Sequence, residues 1–193
     1  PHGITMLNTA FSESKSDMFT VNSFLIWSGK LAVGFDTGTL AGPLLAEIKR
    51  NGLKLQSIFI THTHRDHIAA LEEIRAACPE CILYCPKGEL LPDSVPLLGG
   101  TRLHCERLLI EARNTPGHSP GALSYVVTVG EKKLAIVGDA LFSLSIGKAN
   151  ISYQKALESV RSPILNLPDT TILCPGHGPV TTVASEKTHN PFF

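Results

Sequence analysis

The chain has 193 residues, 43% of them hydrophobic, enough apolar material for one compact domain, or one domain with a small appendage. Its 17 basic residues balance 17 acidic ones, so no net field draws it onto nucleic acid or an anionic membrane, and neither partner is expected. No apolar run approaches the roughly 18 residues of a membrane span, the start PHGITMLN lacks the layout of a signal peptide, and five cysteines are an odd set in a chain too long to need disulfide staples; a soluble, cytoplasmic protein is expected.

In chain order, Phe19 to Trp27 and Leu31 to Phe35 are apolar, β-rich runs separated by Ser28-Gly29-Lys30, which reads as a hairpin, and a turn Phe35-Asp36-Thr37-Gly38 follows. Leu44 to Arg50 has helical apolar spacing, with Gly42-Pro43 before it and Asn51-Gly52 after it. Leu55 to Thr61 then reads as a buried strand. Ile68 to Ala77 sets Ile68, Leu71, Ile74 and Ala77 on one face and predicts a single short amphipathic helix. Strands are expected at Ile82 to Cys85 and Arg107 to Ala112, and Tyr125 to Val129 with Leu134 to Val137 predicts a hairpin across Gly130 to Lys133. Helical spacing returns from Tyr153 to Leu167, interrupted by Pro163, and a strand Thr171 to Cys174 leads into PGHGPV. With no repeat or linker in evidence, these elements predict one α+β domain over residues 1–193, its sheets packed together with helices outside them.

The stretch IFITHTHRDH, Ile58 to His67, runs a core strand straight into three histidines and an aspartate. In extended backbone, side chains two apart project to the same side, so His62 and His64 can approach one ion together. Asp66 and His67 follow at the turn into the next helix, displaced enough to reach a different ion. Imidazole and carboxylate hold transition metals at about 2.0–2.2 Å, and each ion needs several such donors converging. His118 in NTPGHSPG, Asp139 in AIVGDALF and His177 in ILCPGHGP add three more, each with glycine beside it to let backbone turn sharply. Five of the eight histidines thus fall in loops at strand ends, where scaffolds carry chemistry.

His62-Thr63-His64-Arg65-Asp66-His67 resembles the HxHxDH signature of the metallo-β-lactamase superfamily, and the later His, Asp and His match as well. TPGHSPG, GDALF, PGHGPVTT and the terminal NPFF are similar to the hydroxyacylglutathione hydrolase (glyoxalase II) branch. The resemblance implies an αββα sandwich of two mixed sheets flanked by helices, with a two-metal site at one edge. It implies that His62, His64 and His118 hold one divalent ion, that Asp66, His67 and His177 hold a second, and that Asp139 bridges both. Asp66 and Asp139 are then the catalytic carboxylates, and Asp36 in the FDTG turn is expected to hydrogen-bond behind a ligand without touching metal. Zinc is the default for a His-rich hydrolytic site, with iron and manganese accepting the same donors.

Between two cations about 3.5–4 Å apart, a shared water loses its proton near neutral pH and becomes a hydroxide nucleophile. A thiol pKa of about 8.5 makes a thiolate a competent leaving group without an acid. The expected reaction is therefore hydrolysis of a small-molecule thioester, such as glutathione-derived S-D-lactoylglutathione. Lys148 and Asn150, in the run Gly147-Lys148-Ala149-Asn150, are the expected substrate contacts; this run matches the branch's Gly-Lys-x-Tyr at lysine and departs from it at the tyrosine. The resemblance does not extend to the separate C-terminal helical glutathione-binding domain of longer members.

Other readings stand beside this one. Persulfide dioxygenases share the superfamily fold and keep one iron on a facial triad that here would be His62, His118 and Asp139. A lactonase or a non-catalytic metal-binding domain would keep the same ligands. Gly117-His118-Ser119-Pro120-Gly121 also matches a serine-hydrolase elbow, with Asp139 and His177 following in order, but Pro120 has no N–H for the oxyanion hole. Cys78-Pro79-Glu80-Cys81 matches a redox CxxC, yet it follows a helix, where the dipole opposes a thiolate, so packing is the expected role.

Overall fold

The computed structural model of the protein describes residues 2–10 and 19–193; Pro1, included in the single-domain reading, lies outside them. The elements in chain order are β1 (His2–Ala10), β2 (Thr20–Ser28), β3 (Leu31–Phe35), α1 (Gly42–Asn51), β4 (Lys54–Phe59), α2 (Arg65–Ile68) and α3 (Leu71–Ala77). They continue with β5 (Ile82–Pro86), β6 (Val95–Leu97), β7 (Arg102–Cys105), β8 (Leu108–Asn114), β9 (Leu123–Val129) and β10 (Lys132–Gly138). The last are β11 (Leu141–Phe142), β12 (Ser145–Ile146), α4 (Tyr153–Arg161), β13 (Ile172–Pro175), β14 (Thr181–Thr182) and α5 (Val183–His189).

Two mixed sheets carry the fold. One has the order β1-β2-β3-β4-β5-β6, antiparallel through β3 and parallel beyond it; the other has the order β14-β13-β10-β9-β8-β7, parallel only between β10 and β13. Strand β2 shows why they stack. With side chains alternating between faces, Phe24 and Ile26 meet the other sheet while Leu25 packs outward. The inner layer joins these to Val33, Phe35 and Phe59, and to Ile110, Tyr125, Val127 and Ile136 of the second sheet. Outside the first sheet, Leu25, Leu55 and Ile58 are covered by Leu44 of α1 and Leu71 and Ile74 of α3. Outside the second, Val126, Ala135 and Leu173 are covered by Val160 of α4 and Val183 of α5. The result is an αββα sandwich of α+β class, as expected from the sequence.

Local chemistry sets the element ends. Pro43 sits in the first turn of α1, and Gly52, with φ of 57°, closes it by donating its N–H back to the last turn. The helix expected from Ile68 to Ala77 is instead two. The His67 carbonyl accepts from Thr37 N and Thr37 Oγ1, and Ala70 N donates to Gly38 O, so the FDTG turn takes the backbone groups that a continuous helix would pair internally. Helix α4 stops at Arg161, two residues before Pro163, instead of running to Leu167. Strands β1, β6, β7, β11, β12 and β14 and helix α5 had no counterpart among the expected elements. Cys78 and Cys81 are free and half-buried, and burial pushes the first thiol up and the second to about 12, which suits packing and opposes redox reactivity. Among the described residues, no helix is long and apolar enough to cross a membrane.

Phe59 is 1% exposed and lies 4.8–5.4 Å, centroid to centroid, from the rings of Tyr84, Phe35 and Tyr125. Phe59→Ala should lower unfolding free energy by about 3–5 kcal/mol in chemical denaturation; an unchanged midpoint would contradict the layer assignment.

Candidate metal centre

Every ligand-type residue singled out in the sequence leaves the sandwich at one end. His62 and His64 follow β4 in extended backbone, and Asp66 and His67 occupy the first turn of α2. His118 lies between β8 and β9, Asp139 directly follows β10, and His177 follows β13. Three groups of ligand atoms form, each with its atoms within 4.8 Å of one another: His62-His64-His118, His62-His67-Asp139 and Asp66-His67-His177.

The rings are turned by partners behind them. His62 Nδ1 donates to Thr61 Oγ1, His118 Nδ1 to the Lys148 carbonyl, His67 Nδ1 to Asp36 Oδ2 and His177 Nδ1 to the Thr20 carbonyl, at 2.6–3.1 Å. Each of these rings therefore points Nε2 into the centre, with its tautomer fixed by the bond behind. His64 is turned the other way: its Nδ1 lies 3.1 Å from His62 Nε2 and 2.9 Å from His118 Nε2. Asp139 stands between the groups, with Oδ2 3.5 Å from His118 Nε2 and 3.4 Å from His177 Nε2, and Oδ1 3.3 Å from His67 Nε2. Asp66 Oδ2 is 3.2 Å from His177 Nε2.

Burial and charge act in opposite directions on the two sides. Burial pushes His62 down to about 3 and lowers His118 as well, which favours the neutral form of imidazole that binds metal. It also opposes charge on His67 and His177, but Asp36 and Asp139 around the first, and Asp139 and Asp66 around the second, outweigh it and raise each to about 10. Against the same burial, His177 and His67 hold Asp139 well below the usual carboxylate range, and His177 lowers Asp66. The carboxylates that favour a proton on these two imidazoles would equally favour a bound cation, which must displace that proton to reach the ring nitrogen.

The donor set fits divalent metal on a further observation. His67 Nε2 and Asp139 Oδ1 are buried with no hydrogen-bond partner in acceptable geometry, an arrangement that costs free energy unless something else occupies the space between the donors. The backbone is shaped to the same space. A Cβ on Gly176 would stand 2.3 Å from Asp139 Oδ1 and 2.6 Å from His67 Cε1.

Several supports had not been read from the sequence. Asn22, fully buried in β2, donates its side-chain amide to the Pro175 and Gly178 carbonyls at 2.9 Å each, and its N–H to Gly176 O, clasping the loop that carries His177. The buried Tyr125 hydroxyl donates to Ile60 O and fixes the end of β4. An asparagine within an apolar strand was the available signal for the first; nothing marks the second. Asp36 adopts φ of 53° and accepts from Thr61 N, Thr61 Oγ1 and His67 Nδ1, and it touches no other member of the groups. Asn150 donates its side-chain amide to the His118 carbonyl at 3.0 Å, while the exposed Lys148 meets His118 through its backbone carbonyl. Ser119 donates to the Glu89 carboxylate and His177 Nδ1 is held by Thr20, so no Ser-His pair assembles.

An αββα sandwich with three overlapping groups of His and Asp donors at one edge has the make-up of a metal-binding protein. The chain belongs to the metallo-beta-lactamase superfamily, whose family model matches residues 17–177. It is 30% identical over 199 residues to the hydroxyacylglutathione hydrolase GloC of Haemophilus influenzae, covering 90% of this chain and 93% of that one. Among solved structures it is similar to the BLEG-1 B3 metallo-beta-lactamase, with a TM-score of 0.84 and 28% identity over 97% of this chain and 99% of that one. It is also similar to TTHA1623 in a di-iron-bound form, with a TM-score of 0.78 and 27% identity over 97% of this chain and 100% of that one. Superfamily membership makes the chain a metallo-hydrolase-type protein with candidate sites for divalent metal.

Asp36→Asn should weaken metal binding about 10–100-fold, the range for residues that orient a ligand from behind. Chelator competition on the purified protein checks this, and wild-type affinity would refute the orienting role.

Proposed function

We propose that the protein is a two-metal hydrolase of small-molecule thioesters, of which S-D-lactoylglutathione is the leading candidate. The observation that carries hydrolysis is the pair of ligand groups meeting at Asp139, between His118 Nε2 on one side and His177 Nε2 on the other. The thioester is supported by the similarity to GloC along nearly the whole of both chains.

When bound, a pair of divalent ions supplies Lewis acidity, acidifying a water to near neutral pH and drawing charge from the carbonyl under attack. The chain does the rest. His62, His64 and His118 would hold one ion and Asp66, His67 and His177 the other, with Asp139 placed to serve both. Asp66 orients the attacking water by accepting a hydrogen bond at its carboxylate. Water adds to the acyl carbon, the C–S bond breaks, and the products are a carboxylic acid and a thiol. A thiolate with a pKa near about 8.5 departs unaided, whereas the amine of a lactam must be protonated as it leaves. Lys148, exposed beside His118, is the candidate contact for a carboxylate on the thiol portion. Asn150 is placed at the same rim, with its amide already engaged to His118 O.

Zinc suits the His-rich donor set, and iron accepts the same ligands. Protein purified without added metal should carry two ions per chain, hydrolyse S-D-lactoylglutathione, lose that activity on chelation and regain it with zinc or iron. One iron per chain together with oxygen uptake on glutathione persulfide would overturn the reading in favour of a dioxygenase centred on His62, His118 and Asp139. A metal-loaded protein inert toward thioesters and persulfides alike would overturn it in favour of a binding role.

A further inference from the structure

Glu89 lies outside every motif discussed above. It sits in the turn after β5, where its N–H donates to Pro86 O, and its carboxylate faces the two loops that carry His62, His64 and His118. Glu89 Oε2 accepts from Thr63 N at 2.9 Å and from Thr63 Oγ1 at 3.0 Å; Oε1 accepts from Gly121 N at 2.9 Å and from the Ser119 hydroxyl. Thr63 stands between His62 and His64, and Ser119 directly follows His118. One side chain thus grips both segments that supply the first ligand group, with all four acceptor positions of its carboxylate used.

The grip is close because the backbones meet. A Cβ on Gly88 would lie 3.0 Å from Gly121 Cα, and one on Gly121 would lie 3.0 Å from the Gly88 backbone and from Glu89 Cγ. The second ligand group is held by different residues. His67 rests on Asp36, and the His177 loop rests on Thr20 and Asn22. Among the described residues, no hydrogen bond joins Glu89 to Asp66, His67, Asp139 or His177.

We propose that Glu89 is a positioning residue for one ion of the pair: it locks His62 and His64 against His118, and so sets the affinity of the His62-His64-His118 site without governing the other. Replacing one carboxylate oxygen by an amide would turn an NH2 group toward N–H and O–H donors. The loop served by that oxygen loses its acceptor while the other stays bound, and the two-histidine arm can shift relative to His118. Burial opposes the Glu89 charge, yet Ser119, Thr63 and Gly121 hold the carboxyl below its usual range, in keeping with a permanently ionised acceptor. The proposal rests on the assignment of this group as a metal site.

Zinc and cobalt titrations of the full chain by chelator competition test it. In Glu89→Gln one ion should bind about 10–100-fold more weakly while the other keeps wild-type affinity. The half-loaded cobalt spectrum of that variant should match His118→Ala and differ from His177→Ala. Ser119→Ala, which removes one donor and leaves the carboxylate, should weaken the same ion by a smaller factor. Should Glu89→Gln fail to fold, the selective loss in Ser119→Ala decides the question alone. Wild-type affinity for both ions, or equal weakening of both, overturns the proposal, the second because a merely structural defect would not choose between them. If the native chain takes a single ion, the two-ion reading fails, and Glu89 is then judged by whether that ion is weakened in Glu89→Gln.

Discussion

The structure depends on one constraint: imidazoles and carboxylates must point their lone pairs at a common space at the edge of the sandwich, with His62, Asp66, His67 and Asp139 buried there. Such groups do not gather on their own, since each is more stable hydrated and the carboxylates repel one another. Outward anchors hold them together. Thr61, Asp36, the Lys148 carbonyl and the Thr20 carbonyl each take one ring nitrogen, and in doing so aim the other. Asp36 does the most, because its carboxylate joins the ends of β3 and β4 to α2 through Thr61 and His67 at once. The carboxylates of Asp36, Asp139 and Asp66 favour positive charge on the rings of His67 and His177, a preference that a bound cation would also satisfy.

The sandwich makes this convergence possible. Parallel pairing of β3 with β4 in one sheet and of β10 with β13 in the other brings strand ends of the same sense to one edge, so that the following loops fall side by side. The first sheet contributes His62, His64, Asp66 and His67, and the second contributes His118, Asp139 and His177. Contacts between sheets then set the distances: Leu123 N donates to Thr61 O, Tyr125 reaches Ile60 O, and Asn22 reaches across to the Pro175 and Gly178 carbonyls. The aromatic layer of Phe35, Phe59 and Tyr125 underlies this edge, so core packing and ligand spacing are mechanically linked.

The candidate ligands were marked in the sequence more plainly than several elements of the scaffold that brings them together. A strand that ends in histidines at alternate positions has no role in a core, and the glycines beside His118, Asp139 and His177 mark the same kind of sharp loop. Strong apolar runs located β2 to β5 and the β9–β10 hairpin. Most of the failures have a local cause: β6, β11, β12 and β14 span two or three residues each, too short to show a period, and β1 is an edge strand whose exposed Ile4 and Met6 give it no inward stripe. The split of the helix expected over Ile68 to Ala77 was invisible because it arises from Thr37 and Gly38, some thirty residues away in the chain. Partners such as Glu89 and Asn22 act across distances of the same kind, and no local pattern announces them.

The loop from Leu141 to Asn150 separates what its backbone holds from what its side chains present. Its far end is fastened from behind: buried Glu186 of α5 accepts from Leu144 N, and Asn190 donates to Ser145 O. Its near end serves the centre through the Lys148 carbonyl, which any residue would supply, and through the Asn150 amide on His118 O. The lysine side chain takes no part in that support. A substitution at position 148 can therefore change the exposed side chain while the ring of His118 stays aimed, whereas a change at Asn150 would release a hydrogen bond to the loop that carries His118. Where the branch's Gly-Lys-x-Tyr has tyrosine, Gly147-Lys148-Ala149-Asn150 thus places an amide that hydrogen-bonds the loop carrying His118, and the candidate ion ligands are unaffected by the change.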